Sequence, residues 1–207
     1  MDYEIRDYTE EDYKQCSELV CRAWDFDSVF RPAEFTDLAK SIYTGGAQIE
    51  STFKSVAVHN GEVIGFIFGM NRTLYKMKLH LKYRLKVLWK IFKIKSSTPK
   101  KEELIAAMSE HEKVRSNLVP KKRSEIVLFV VSEEHQGKGV GKALWGKFLN
   151  SCNELNESKV YVETNKNGAS SFYENIGFKH LSNFYSPLHE FATPNGQACI
   201  YTYSLDE

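Results

Sequence analysis

The stretch Glu125 to Gly146, EIVLFVVSEEHQGKGVGKALWG, decides how the rest of this chain is read. It opens on Ile126-Val127-Leu128-Phe129-Val130-Val131, an unbroken apolar run rich in β-branched residues, which predicts a strand buried on both faces. The polar turn Ser132-Glu133-Glu134-His135 ends it. Gln136-Gly137-Lys138-Gly139-Val140-Gly141-Lys142 follows, and then Ala143-Leu144-Trp145 and Phe148-Leu149 at helical spacing. A strand, a glycine-rich turn and a helix make a nest of free backbone N–H groups at a helix N-terminus. With the helix dipole and with Lys138 and Lys142, that nest suits a pyrophosphate.

Spacing separates the nucleotide motifs that share this logic. A P-loop needs four residues between its first glycine and Gly-Lys-Ser/Thr, but Gly141-Lys142 is followed by Ala143, and Gly137 lies too close. The dinucleotide pattern G-x-G-x-x-G would need glycine where the chain has Lys142. What remains, Gln-x-x-Gly-x-Gly/Ala directly after a buried strand, resembles the acetyl-CoA motif of the GCN5-related N-acetyltransferase (GNAT) family. A second stretch carries the same resemblance. Lys159 to Thr164 alternates as a short strand, and Gly168 to Phe178 reads as a helix closed by Gly177. Its Phe172-Tyr173-Glu174-Asn175-Ile176-Gly177-Phe178 is similar to the family's Phe-Tyr-x-x-x-Gly-Phe signature, in the expected order after the first motif. The resemblance covers residues 50–70 and 120–205 well, and the first fifty residues by pattern alone.

The resemblance implies an α/β fold with a mixed, mostly antiparallel central sheet flanked by helices, and acetyl transfer from acetyl-CoA to an amine. It implies that Gln136, Gly137, Lys138, Gly139, Val140, Gly141 and Lys142 hold the pyrophosphate. The backbone of Phe129, Val130 and Val131 would bind the pantetheine and the acetyl carbonyl, on a strand splayed from the one at Lys159 to Thr164. Tyr173 matches the tyrosine that protonates the departing thiolate in many members. Glu125 sits where many members have a glutamate on the acceptor side, a candidate general base; it would equally pair with Lys121, Lys122 or Arg123, and many members use ordered water instead. Asn165 or Asn167 would bond the pantetheine arm, although their spacing to Tyr173 departs from the commonest form.

The chain's 207 residues suffice for one domain spanning 1–207, and a composition 42% hydrophobic and 27% charged is that of an ordinary globular protein. No apolar run approaches the ~20 residues of a membrane span, and the polar start is no signal peptide, so a cytoplasmic location is expected. Cys16, Cys21, Cys152 and Cys199 form no C-x-x-C pair, and the six histidines show no ligand-like pairing; reduced thiols and no metal are expected.

Tyr3 to Asp7 alternates as a first strand, and Thr9-Glu10-Glu11-Asp12 caps a helix expected to bury Tyr13, Cys16, Leu19, Val20 and Ala23. Trp24 to Pro32 reads as a loop or helix break. Family members commonly shape the acceptor pocket here, and Trp24, Phe26 and Phe30 would suit an amine held against apolar walls; equally, they would anchor the loop on the core. A helix follows near Glu34 to Tyr43. Phe53 to His59 and Glu62 to Met70 are strands joined by Asn60-Gly61, a strong hairpin signal.

Where compact members go straight to the cofactor strand, this chain inserts about 71–122. Leu74, Met77, Leu81, Leu85, Leu88 and Phe92 form one apolar helical stripe. From Arg72 to Lys101 there are eleven Lys/Arg and no Asp/Glu, leaving 17 basic against 27 acidic groups elsewhere. A second helix begins at Lys101 and runs towards Leu118. Such a basic helical hairpin would serve as a lid, lie on an anionic membrane surface, or meet nucleic acid, an acidic partner or the acidic body of a second subunit in a homodimer. The sequence does not choose among these.

His180 to Tyr185 and Cys199 to Leu205 are the last expected strands, with Pro187 to Gly196 as a loop. Two functions stay open: an N-acetyltransferase acting on a primary amine of a small molecule or protein, and a non-catalytic CoA-binding sensor or partner-binding module acting through the basic arm.

Overall fold

A computed structural model describes residues 2–31, 33–75, 85, 87–89, 99–165, 168–190 and 196–205. In chain order they form β1 (Glu4–Asp7), α1 (Tyr13–Ala23), α2 (Phe26–Val29), α3 (Ala33–Lys40), α4 (Gly46–Glu50), β2 (Phe53–His59) and β3 (Glu62–Met70). Then come α5 (Pro99–Arg115), β4 (Ser124–Val131), α6 (Val140–Glu154), β5 (Lys159–Asn165), α7 (Ser170–Asn175), β6 (Lys179–Tyr185), α8 (Pro187–Glu190) and β7 (Gln197–Ser204). The architecture is mixed α/β, with mostly antiparallel strands flanked by helices. The chain divides into two compact units, Met1–Ile94 with Ile126–Glu157, and Lys95–Glu125 with Ser158–Glu207.

In the first unit the strand order is β1-β2-β3-β4. β2 and β3 pair antiparallel about Asn60-Gly61, whose φ values of 50° and 83° are what a two-residue primed turn demands. β3 is buried from Val63 to Met70, and its two glycines allow close approach. A Cβ on Gly65 would lie 3.1 Å from the Val130 carbonyl, and one on Gly69 would lie 2.5 Å from the Phe148 ring of α6. These two positions set β4 and the glycine-loop helix tight against β3.

α1 buries Cys16, Leu19, Val20 and Cys21, whereas Tyr13 and Ala23, expected inside at its two ends, are half-buried and exposed. Its approach is pinned by Asp12, which accepts the Thr9 N–H at 2.8 Å and two bonds of 2.7 Å from Arg6. The helix expected to end near Tyr43 instead runs on through a π-turn, Ser41–Gly45, into α4. Gly45 and Gly46 keep helical φ of −68° and −61°, because this stretch buries Thr44, Gly45 and Ala47 and burial outweighs glycine's preference for freedom.

In the second unit the order is β5-β7-β6, both pairings antiparallel, with Val162 opposite Tyr201 and Phe184 opposite Ala198. Val119, Phe184, Ala198 and Ile200 form its core, with Val114, Leu118 and Tyr161 packed against them. The helix expected to begin at Lys101 starts two residues earlier at Pro99, the first position of α5, where the missing N–H of proline is not needed. The stretch expected as a loop after Pro187 begins as the short helix α8. Most of the basic helix expected between Arg72 and Lys95 lies outside the described residues, as does Asn167. No helix among the described residues is long and apolar enough to cross a membrane.

Candidate active site

β4 enters the site with alternating burial from Ile126: Ile126, Leu128 and Val130 are inside, while Val127, Phe129 and Val131 are half-buried. This corrects the expectation of a strand buried on both faces. The turn after it is built locally. Ser132 donates its N–H to the Ile64 carbonyl at 2.9 Å, its hydroxyl meets His135 Nδ1 at 2.7 Å, and Gln136 donates its amide Nε2–H to the Val131 carbonyl at 3.2 Å.

Gly137 and Gly139 then take φ of 70° and 85°, a region that other L-residues enter only with strain. A Cβ on Gly137 would meet nothing within 4 Å, and one on Gly139 would meet only the Tyr3 hydroxyl at 3.7 Å. Backbone conformation, not space, is what requires glycine here. α6 starts at Val140 without a side-chain cap, and its first closed bond is Ala143 N–H to Gly139 O. The amides of its first turn are therefore left for a ligand or water. Gln136 to Gly139 and Lys142 are exposed, so the loop presents cations and amide donors together. Phe129, Val130, Val131 and the whole run Gln136 to Lys142 thus belong to one unit.

Tyr173, Glu125 and Asn165 belong to the other. Tyr173 lies in α7, which ends as the sequence predicts. Gly177 at φ 97° lets Phe178 donate its N–H to the Tyr173 carbonyl at 2.9 Å, and Gly177 donates to Glu174 at 3.1 Å, a Schellman closure. The Tyr173 ring is 4% exposed, packed on Phe178 and stacked along Tyr201. Burial pushes its phenol well above the ordinary tyrosine range.

Glu125 is 5% exposed and held by two arginines: Arg115 donates from its terminal nitrogen, and Arg123 Nε lies 2.6 Å away. Of its expected partners only Arg123 pairs with it; Arg115, on α5, was not foreseen. Asn165 accepts at Oδ1 from His189 Nδ1, so its side-chain oxygen is engaged within its own unit.

The aromatic segment near the N-terminus is sorted by burial. Phe26 and Phe30 are 2% and 4% exposed and meet edge to face at 5.2 Å, with Tyr43 5.1 Å from Phe26. Trp24 stacks on Phe26 at 6.3 Å and is half-buried, the member of the trio with surface to offer. The four cysteines are buried and form no disulfide among the described residues. Burial drives the Cys16 and Cys152 thiols up to about 12, which removes them as thiolate nucleophiles.

A polar cluster that the sequence did not reveal lies in the second unit. Glu163 of β5 receives Arg115 Nε at Oε2 (2.7 Å) and His189 Nε2 at Oε1 (2.6 Å), with His111 Nε2 at 3.6 Å from the same oxygen. Burial pushes the Glu163 carboxyl up, but the His189 bond and the charges of His111 and Arg115 more than reverse it, and the net shift is downwards. Burial lowers the His111 pKa, with Glu163 opposing. The local signal for this cluster is faint: His111 and Arg115 share one face of α5, one turn apart.

Residues 93–186 match a family model described as Acetyltransferase (GNAT) domain, a span holding both the glycine loop and the Tyr173 signature. No curated protein sequence matches the chain. Solved structures share its fold at low identity. SsHAT superposes with a TM-score of 0.68 at 16% identity over 99% of this chain and 98% of its own. Ard1 from Thermoplasma volcanium gives 0.57 at 18% identity over the whole of both chains. The yncA protein from Salmonella typhimurium, solved with its cofactor acetyl-CoA, gives 0.54 at 16% identity over 99% and 95%. With two motifs in register inside it, the span 93–186 is a match to the GNAT acetyltransferase domain, and the solved structures share the fold.

Proposed function

We propose that this N-acetyltransferase moves the acetyl group of acetyl-CoA to a primary amine by direct attack. The observation that carries this reading is the loop Gln136 to Lys142, where two left-handed glycines present the first-turn amides of α6 beside two exposed lysines. Backbone donors, a helix dipole and cations in one place suit a pyrophosphate. The acetyl-CoA in the yncA structure supports the same cofactor here.

In the proposed step the amine lone pair adds to the thioester carbonyl carbon, and backbone donors of Phe129 to Val131 stabilise the developing oxyanion. The C–N bond forms, the C–S bond breaks, and Tyr173 gives its phenolic proton to the thiolate. Burial raises this phenol, so it holds its proton until the thiolate forms, and the same burial makes it a weaker acid than an exposed tyrosine. With Arg115 and Arg123 on its carboxylate, Glu125 is assigned the holding of those arginines, and the amine proton passes to water. Trp24 is assigned to the acceptor side, on the strength of its exposure relative to Phe26 and Phe30.

Calorimetric titration with acetyl-CoA beside dephospho-CoA, followed by turnover on a panel of amines, tests this reading. Binding together with turnover supports it. Binding without turnover on any amine points to the non-catalytic CoA-binding module, and no binding overturns both.

A further inference from the structure

The cluster around Glu163 is arranged as a ligand set. His111 of α5, Glu163 of β5 and His189 of α8 each offer one ligand atom, and these atoms lie within 4.8 Å of one another. Both imidazoles turn Nε2 towards Glu163 Oε1, at 3.6 and 2.6 Å. Their rings are 5.8 Å apart with planes 30° from parallel. Each outer nitrogen is tied elsewhere: His189 Nδ1–H donates to Asn165 Oδ1, and His111 Nδ1 meets Ser186 Oγ at 2.9 Å. The outer oxygen of the carboxylate, Oε2, is held by Arg115 Nε at 2.7 Å. Every member therefore has one atom fixed outwards and one directed at a common point, the arrangement by which outer hydrogen bonds orient metal ligands.

We propose that His111 Nε2, His189 Nε2 and Glu163 Oε1 bind a divalent transition cation of the zinc class, with a fourth position open to water. Two imidazoles and one carboxylate are a donor set that zinc, cobalt and nickel accept and that magnesium and calcium, which seek oxygen alone, do not. Ligand atoms at about 2.0–2.2 Å from a tetrahedral ion lie roughly 3.3–3.5 Å apart. His111 Nε2, now 3.6 Å from Glu163 Oε1, must close by about 0.1–0.3 Å, and His189 Nε2, now at 2.6 Å, must retreat by under about 1 Å. A simple ion pair would need only His189 on Glu163. It gives no reason for His111 to direct a second Nε2 at the same oxygen while Ser186 holds its far side. This site is independent of the acetyl-transfer reading.

The test is titration of the chelator-treated full chain with cobalt(II), followed by visible absorption, and with zinc by calorimetry. The expected result is one equivalent bound, visible bands of a low-coordinate cobalt site without thiolate charge transfer, and no response to magnesium. His189→Ala and His111→Ala should each weaken binding by more than about a hundredfold, and Asn165→Ala by about 10–100-fold. His180→Ala, whose ring hydrogen-bonds Asn183 and packs on Tyr201 rather than joining this cluster, should leave metal binding unchanged. Should the ligand variants fail to fold, imidazole 15N shifts of the unaltered protein on adding zinc must single out two histidines. Absence of a stoichiometric site, or equal binding by His189→Ala and the parent, overturns the proposal.

Discussion

The glycine that caps α6 and one inside it should respond to the same substitution with opposite signs. Gly139 caps the helix at φ 85° and ψ −8°, a left-handed conformation that costs an L-residue roughly 1–2 kcal/mol. An added Cβ there meets only the Tyr3 hydroxyl at 3.7 Å, an ordinary contact, so packing contributes nothing to the change. Gly146 lies inside the same helix, with nothing within 4 Å of an added Cβ. Alanine there should gain about 1 kcal/mol from the smaller loss of backbone entropy. For a chain of this size each kcal/mol moves Tm by roughly 2–4 °C. Gly139→Ala should therefore lower Tm by about 2–8 °C and weaken acetyl-CoA binding, because the first-turn amides are re-aimed. Gly146→Ala should raise Tm by about 2–4 °C with binding unchanged. Gly139→Asn should fall between Gly139→Ala and the parent, since asparagine tolerates left-handed backbone. Thermal melts with and without cofactor read all of this. A neutral or stabilising Gly139→Ala, or a destabilising Gly146→Ala, would refute the assignment of Gly139 to backbone conformation.

Gly69→Ala should cost about 1–3 kcal/mol by overpacking, because its Cβ would fall 2.5 Å from the fully buried Phe148 ring. Adding Phe148→Leu should recover part of that loss in urea melts, and a strictly additive double variant would argue against the clash. Tyr173→Phe should leave cofactor affinity and stability near the parent, since the hydroxyl has no hydrogen-bond partner among the described residues, while turnover falls at least about a hundredfold. Unchanged turnover removes Tyr173 from the mechanism. Glu125→Gln should destabilise by roughly 3 kcal/mol, as two nearly buried arginines lose their carboxylate; a loss under ~1 kcal/mol would mean that water replaces it. The Arg6 bonds hold the Asp12 carboxyl below its ordinary range. Its folded pKa is then below the unfolded value of about 3.9, so its contribution is complete above that pH and disappears as pH falls through the folded pKa. Asp12→Asn should cost about 2–3 kcal/mol near neutrality and progressively less on acidification. A deficit that is constant down to about pH 2.5 would contradict this.

What the chain announces by itself is what is settled within a few residues. Gly177 closes its helix and Asn60-Gly61 forms its turn as read, because a left-handed φ has so few tenants, and Gly137 and Gly139 take the same region in the glycine-rich turn. The run Ile126 to Val131 shows its strand, yet its alternation of burial is decided by what packs on each face and not by composition. The helix past Tyr43 was hidden because two glycines signal a stop locally and only burial overrides it. Glu125 illustrates the limit most plainly. The sequence offers three cations beside it, but its second partner, Arg115, is set by how α5 lies in its unit. His111, Glu163 and His189 come from a helix, a strand and a short helix, and no spacing rule links them. Backbone preference acts between neighbours and is written in order along the chain. Convergence of side chains is a property of packed faces, and it exists only once the elements have met.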